Sequence, residues 1–126
     1  MFSHITLGSN DIARSKAFYD ATLGVLGCPP ATPNTQNRLF YRHDGGVLML
    51  TTPLNGQPAT GANGGTIGFT MHSPEQVEAW HKAGLANGGT AIENPPGVRP
   101  SATGDLYLAY LLDPAGNKLC ALYRMP

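Results

Sequence analysis

Apolar and polar residues alternate along this chain with two periods, and the switch between periods comes at matching places in its two halves. Phe2 to Gly8 alternates as a half-buried strand does, with His4 and Thr6 on one face and Ile5 and Leu7 on the other. Asp11 is a good helix N-cap, and Ile12, Phe18, Tyr19, Leu23 and Leu26 then recur at helical spacing until Gly27, Pro29 and Pro30 end the run. Thr66 to Met71 reads as a second such strand, with Thr66, Gly68 and Thr70 opposing Ile67, Phe69 and Met71. Ser73-Pro74-Glu75-Gln76 joins an N-cap, a proline at the first helical position and a glutamine placed for a capping box. Val77, Trp80, Gly84 and Leu85 form the expected buried stripe, and Asn87-Gly88-Gly89 is the stop.

The two halves superpose without a gap when His4–Gly27 is laid on Thr66–Gly89. Ile5 meets Ile67, Leu7 meets Phe69, Asp11 meets Ser73, Phe18 meets Trp80 and Gly27 meets Gly89. A hairpin follows each helix: Arg38–Arg42 and Val47–Thr51 around His43–Gly46, then Leu106–Leu112 and Lys118–Tyr123 around Asp113–Asn117. Thr90–Glu93 is a candidate extra strand, and Ala31–Asn37 a vaguer one. The pattern predicts an α+β fold made of two tandem units, each a strand, a helix and two or three strands. The units span about 1–53 and 64–126 of a single domain, joined by a Gly- and Pro-rich linker at about 54–63.

Composition narrows the function classes. A chain of 126 residues, 41% hydrophobic, is enough for one core. Eight basic residues balance eight acidic ones without runs of either sign, which excludes the electrostatic footprint of a nucleic-acid or anionic-membrane binder and favours a small-molecule ligand. Met-Phe-Ser-His lacks the basic and apolar regions of a signal peptide, and no apolar stretch is long enough to cross a bilayer, so the cytoplasm is the expected location. Cys28 and Cys120 are too few for a disulfide framework and are expected to be reduced thiols.

His4-Ile-Thr-Leu followed by Asp11-Ile-Ala-Arg-Ser15-Lys-Ala-Phe18-Tyr19 resembles the opening motif of the vicinal oxygen chelate superfamily, the glyoxalase, bleomycin-resistance and extradiol-dioxygenase group. Asp113-Pro114-Ala-Gly116-Asn117 resembles its closing turn. The resemblance covers essentially the whole chain. It implies paired βαβββ modules whose mixed sheets form a cup-shaped, partly open barrel with the helices outside, a small molecule bound in the cup, and a homodimer. In metal-dependent relatives a divalent zinc, nickel, manganese or iron ion sits there, held from the first and last strands of each half.

The resemblance carries those ligand positions onto this chain one at a time. His4 matches the first. Thr66 stands where relatives have histidine, Cys120 where glutamate is usual, and the corresponding strand of the first half offers Leu48 or Leu50. His4 and Cys120 are therefore the only candidate metal ligands, and three protein ligands are typical of a catalytic centre. The expected cup surface combines Thr6, Thr66 and Thr70 with Cys120 and either Tyr107 or Tyr110, which alternate on one strand. Arg99, in the Pro-rich loop before the last hairpin, is placed to bind a carboxylate or phosphate. His81 reads as a helix-flank residue, and His43 and His72 as exposed residues at a turn and a strand end. Three functions compete: capture of a small polar molecule without a fully formed catalytic metal site and with no cofactor; a divalent-metal-dependent lyase, isomerase or dioxygenase; and metal-free catalysis with His4 as general base and Arg99 or a tyrosine stabilising negative charge.

Overall fold

Both helices start where their caps predict. The computed structural model describes residues 1–126; in it Asp11 caps α1 (Ile12–Gly24) through its carboxylate on the Arg14 amide, and Ser73 caps α2 (Pro74–Ala86) through its hydroxyl on the Gln76 amide. Gln76 varies the capping box. Its Oε1 accepts from the His72 amide at 2.8 Å, and its Nε2 donates to the Val25 carbonyl at 3.2 Å, so the start of α2 is tied to the end of α1.

The first unit contains β1 (Ile5–Gly8), then β2 (Leu39–His43) and β3 (Gly46–Thr51) after α1. The second contains β4 (Ile67–Thr70), then β5 (Thr90–Ala91), β6 (Gly97–Arg99), β7 (Leu106–Leu112) and β8 (Lys118–Arg124) after α2. One sheet has the order β1-β3-β2, the other β4-β8-β7-β5 with β6 also on β7. Each first strand runs parallel to the last strand of its own unit, and each hairpin is antiparallel. The sheets are mixed and do not close into a barrel. Several expectations shift: β1 starts at Ile5 rather than Phe2, Ala31–Asn37 forms no strand, Thr90–Glu93 shortens to Thr90–Ala91, and the stretch around Arg99 expected as a loop forms β6 by pairing with β7. Leu85 leaves the predicted stripe and is 44% exposed, because the face of α2 that meets the core ends at Gly84.

Register makes the two units equivalent position by position. Ile5 pairs with Leu48, and Ile67 with Leu119. Met49 is thus the counterpart of Cys120, Phe40 of Tyr110, His43 of Asp113 and Gly46 of Asn117. Ile5, Leu7, Leu48 and Leu50 point towards the helices, as do Ile67, Phe69, Leu119 and Ala121, and they pack with Phe18, Tyr19 and Trp80 in one core. Burying such side chains is the main stabilising term, about 1.5–3 kcal/mol each.

The helices cross where α2 carries Gly84. A methyl group there would meet Leu111 Cδ1 at 2.3 Å and Phe18 Cε2 at 3.2 Å. A polar lock joins the two units at one end. Asp113, 3% exposed, accepts from the Tyr19 hydroxyl at 2.6 Å, from Asn117 Nδ2 at 2.8 Å and from the amides of Ala115 and Asn117. Asn117 Nδ2 also donates to the Gly8 carbonyl. The linker lies along the same seam: Asn10 donates to the Ala59 carbonyl and accepts from its amide, and Gly61 touches Gly116. Burial and the neighbouring Asp113 carboxylate together push the Tyr19 phenol well above its ordinary pKa, so it stays a donor.

Candidate functional site: two open faces and a crevice

Pleating puts a second set of residues on the sheet faces turned away from the helices. In the first unit these are His4, Thr6 and Met49, with Thr6 and Met49 in register and the Thr6 hydroxyl 3.8 Å from the Met49 sulfur. His4 and Thr6 are exposed, and His4 Nδ1 lies 2.8 Å from the Ser3 hydroxyl. In the second unit Thr66, Gly68 and Thr70 are exposed beside Cys120, Tyr110 and Arg99. Tyr110 pairs with Cys120, and the Lys118 ammonium, itself paired with Glu93, sits 4.9 Å from the Tyr110 ring centroid.

Several predicted residues are committed elsewhere. Tyr107 is on the helix side of β7, where its hydroxyl donates to Glu78 of α2 at 2.6 Å, so Tyr110 is the tyrosine on the inner face. Arg99 is the last residue of β6, and its guanidinium turns back on the preceding segment, donating to the carbonyls of Asn94 and Pro95 at 3.1 and 2.8 Å. Cys120 is 6% exposed, and burial raises its thiol above the ordinary value, which keeps it protonated at neutral pH.

The same register tests the metal positions. Leu48 and Leu50 point into the core, and the side chain of β3 that shares a face with His4 is Met49. The four equivalent positions therefore carry an imidazole, a thioether, a hydroxyl and a buried neutral thiol. No three His, Cys, Asp or Glu side chains come together anywhere in the chain. With one imidazole, one thiol and no carboxylate, this donor set falls short of the three good protein ligands of a catalytic zinc, nickel, manganese or iron centre.

A crevice of about 440 Å³ lies elsewhere, between the two units. Leu23 and Leu26 at the end of α1, Ile5 and Leu48 of the first sheet, and Ile67 and Phe69 of β4 form its apolar walls. Its polar groups come from the β2–β3 turn (His43, Asp44), the floor (Cys28, Tyr41) and the end of β4 (Thr70, His72). His43 Nε2 is 3.3 Å from Asp44 Oδ2. Burial, together with the hydrogen bond to Asp20, pushes the Tyr41 phenol far up, and burial also raises the Cys28 thiol, so both are neutral donors. Thr70 is the one predicted site residue that lines this crevice. His43 and His72 were expected only as exposed residues; His72 is exposed, but both border the cavity. A usable signal was present in the sequence: the turn that carries Asp113 and Asn117 in the second half carries His43 and Gly46 in the first.

Comparison with known proteins agrees with this architecture. Residues 1–121 match the family model described as Glyoxalase/Bleomycin resistance protein/Dioxygenase superfamily. A crystal structure of a glyoxalase/bleomycin resistance protein from Albidiferax ferrireducens T118 is 59% identical with a TM-score of 0.94, covering 98% of this chain and 99% of that one. A glyoxalase/bleomycin resistance protein/dioxygenase family enzyme from Burkholderia phytofirmans PsJN (17% identity, TM-score 0.74, 98% of each chain) shares the fold. So does a lactoylglutathione lyase from Agrobacterium tumefaciens (22% identity, TM-score 0.66, 98% of this chain and 92% of that one). No curated protein sequence matches the chain.

Proposed function

The chain belongs to the Glyoxalase/Bleomycin resistance protein/Dioxygenase superfamily, and from that premise we propose that it binds a small polar molecule on the inner faces of its sheets without a complete metal site. One observation carries the reading: the four equivalent inner-face positions hold His4, Met49, Thr66 and Cys120, a set rich in hydrogen-bonding and soft groups but with one imidazole and no carboxylate. His4, Thr6, Thr66, Thr70 and Tyr110 supply donors and acceptors beside apolar Met49 and Leu108, the mixture that orients a modest polar ligand. His4, Thr6, Thr66 and Thr70 are exposed in the single chain, so a homodimer in which the second copy covers these faces is part of the proposal. The free thiols of Cys28 and Cys120 favour a reducing compartment and hence the cytoplasm.

The first test is elemental analysis of tag-free protein together with thermal melts in the presence of nickel, zinc and manganese. The expected result is sub-stoichiometric metal and no stabilisation by any of the three. Near-stoichiometric metal that disappears in His4→Ala would overturn the reading and make a metal-dependent lyase, isomerase or dioxygenase the leading one. A ligand then found by thermal-shift screening should bind His4→Ala about tenfold more weakly, which is the loss of about one good hydrogen bond.

A further inference from the structure

The intermodule crevice is the counterpart of a seam that this chain already fills with its own backbone. At the filled end, Gly8 lies so close to the linker that a methyl group on it would meet Ala59 Cβ at 2.8 Å. Asn10 pairs with both the amide and the carbonyl of Ala59, at 2.7 and 3.0 Å, and Asn117 closes the seam by donating to Gly8. The repeat and the strand register give the equivalents of these residues at the other end: Thr70 for Gly8, His72 for Asn10, His43 for Asp113 and Gly46 for Asn117. All four border the crevice.

Three differences keep that end open. Gly46 has no side chain to span the gap as Asn117 does. His43 replaces the carboxylate that gathers four hydrogen bonds in the lock. No segment of residues 1–126 takes the part of Ala59 there, and the space left is about 440 Å³. That volume lies within the range of small-molecule pockets.

We infer that this crevice is a binding site for a molecule of dipeptide size that presents the N–H and C=O of one amino-acid residue beside an aliphatic side chain. The aliphatic part would enter between Leu23, Leu26 and Phe69, and the flanking N–H and C=O would take the place that those of Ala59 hold at the filled seam, against His72 and the Thr70 strand end. An imidazole donates from one nitrogen and accepts at the other in divergent directions, so His72 can hold one of the two groups, the N–H or the C=O, that Asn10 holds together at the other seam. The site is distinct from the inner sheet faces, of whose proposed ligand residues it includes Thr70 alone.

The probe is N-acetyl-L-leucinamide, titrated into isotope-labelled full-length protein and followed by the backbone amide signals, with 4-methylpentan-1-ol as an arm that keeps the apolar body and lacks the amide. Saturable shifts at Gly46, Gly68, Thr70 and His72, with the alcohol about tenfold weaker, are expected. Gly46→Asn restores the side chain that closes the other seam and should weaken the probe about tenfold or more. Leu26→Ala is the second variant, since Leu26 is a half-buried apolar wall of the crevice at the end of α1 and lies away from the inner sheet faces. Shifts confined to Thr6, Met49 and Cys120, equal affinity for the alcohol, or unchanged binding by both variants would overturn the inference. So would crevice signals that depend on protein concentration and not on the probe, because a second copy would then be the occupant. The metal and His4→Ala measurements read other residues, so either proposal can fail without the other.

Discussion

Asp113 concentrates more of the molecule's polar interactions than any other side chain described above, and its removal tests the seam directly. Asp113→Ala strands the buried Tyr19 hydroxyl and leaves the turn amides of Ala115 and Asn117 unpaired. Each unmade buried bond costs about 1–3 kcal/mol, so urea denaturation should show a loss of about 3 kcal/mol, against about 1 kcal/mol for Tyr19→Phe, which leaves the other bonds in place. Asp20 gives a pH signature. Burial works to raise its pKa, but hydrogen bonds from Lys16, the Tyr41 hydroxyl and the Ala31 amide outweigh it and hold the carboxyl below its ordinary value. A lowered folded-state pKa means stability that is fully present above the unfolded value near pH 4 and lost as pH falls through the folded value. The melting temperature should therefore fall more steeply below about pH 4 in the native chain than in Asp20→Asn. At this scale the sequence told which face of a strand His4, Thr6, Thr66 and Thr70 occupy, because alternation is a local property. It did not show that Arg99 and Tyr107 are taken up by Pro95 and Glu78, or that His43 and His72 meet at one cavity, because those facts depend on what distant segments bring opposite.

Helices and hairpins were the most legible level, since caps, stops and turn residues act within a few positions of themselves. Asp11 and Ser73 cap as their chemistry predicts, and Ser73→Ala should cost about 1 kcal/mol in denaturant titrations. Strand lengths were less legible, because a strand exists only as far as its partner runs: Phe2 and Ser3 alternate correctly, yet pairing in β1 begins at Ile5. Gly84 shows two element-level effects in opposition. Alanine would improve the intrinsic helix propensity of α2 by about 1 kcal/mol. Its methyl group would meet Leu111 and Phe18 at 2.3 and 3.2 Å, overpacking the helix crossing at a cost of about 1–3 kcal/mol. The steric term wins, and Gly84→Ala should lower the melting temperature; a rise would show that Leu111 can move aside without loss.

For the whole molecule, the repeat in the sequence predicted two units of one kind, and the mixed sheets with parallel first and last strands follow it. What it did not predict is that the two seams between the units are unlike, because the difference rests on a few substitutions, Gly46 for Asn117 and His72 for Asn10, within an otherwise matching pattern. One consequence is dynamic. A molecule locked through Asp113 at one end and held at the other by the Gln76–Val25 hydrogen bond has a hinge and a mouth: thermal opening should swing the units about Asp113 and part them first at His72. Two amides report this with little confounding, since Ser9 donates to Thr51 and Met71 to Leu122 at the same 2.8 Å, in equivalent places of the two units. Solvent deuterium should replace the Met71 proton well before that of Ser9, and equal rates would mean that the units breathe as one body.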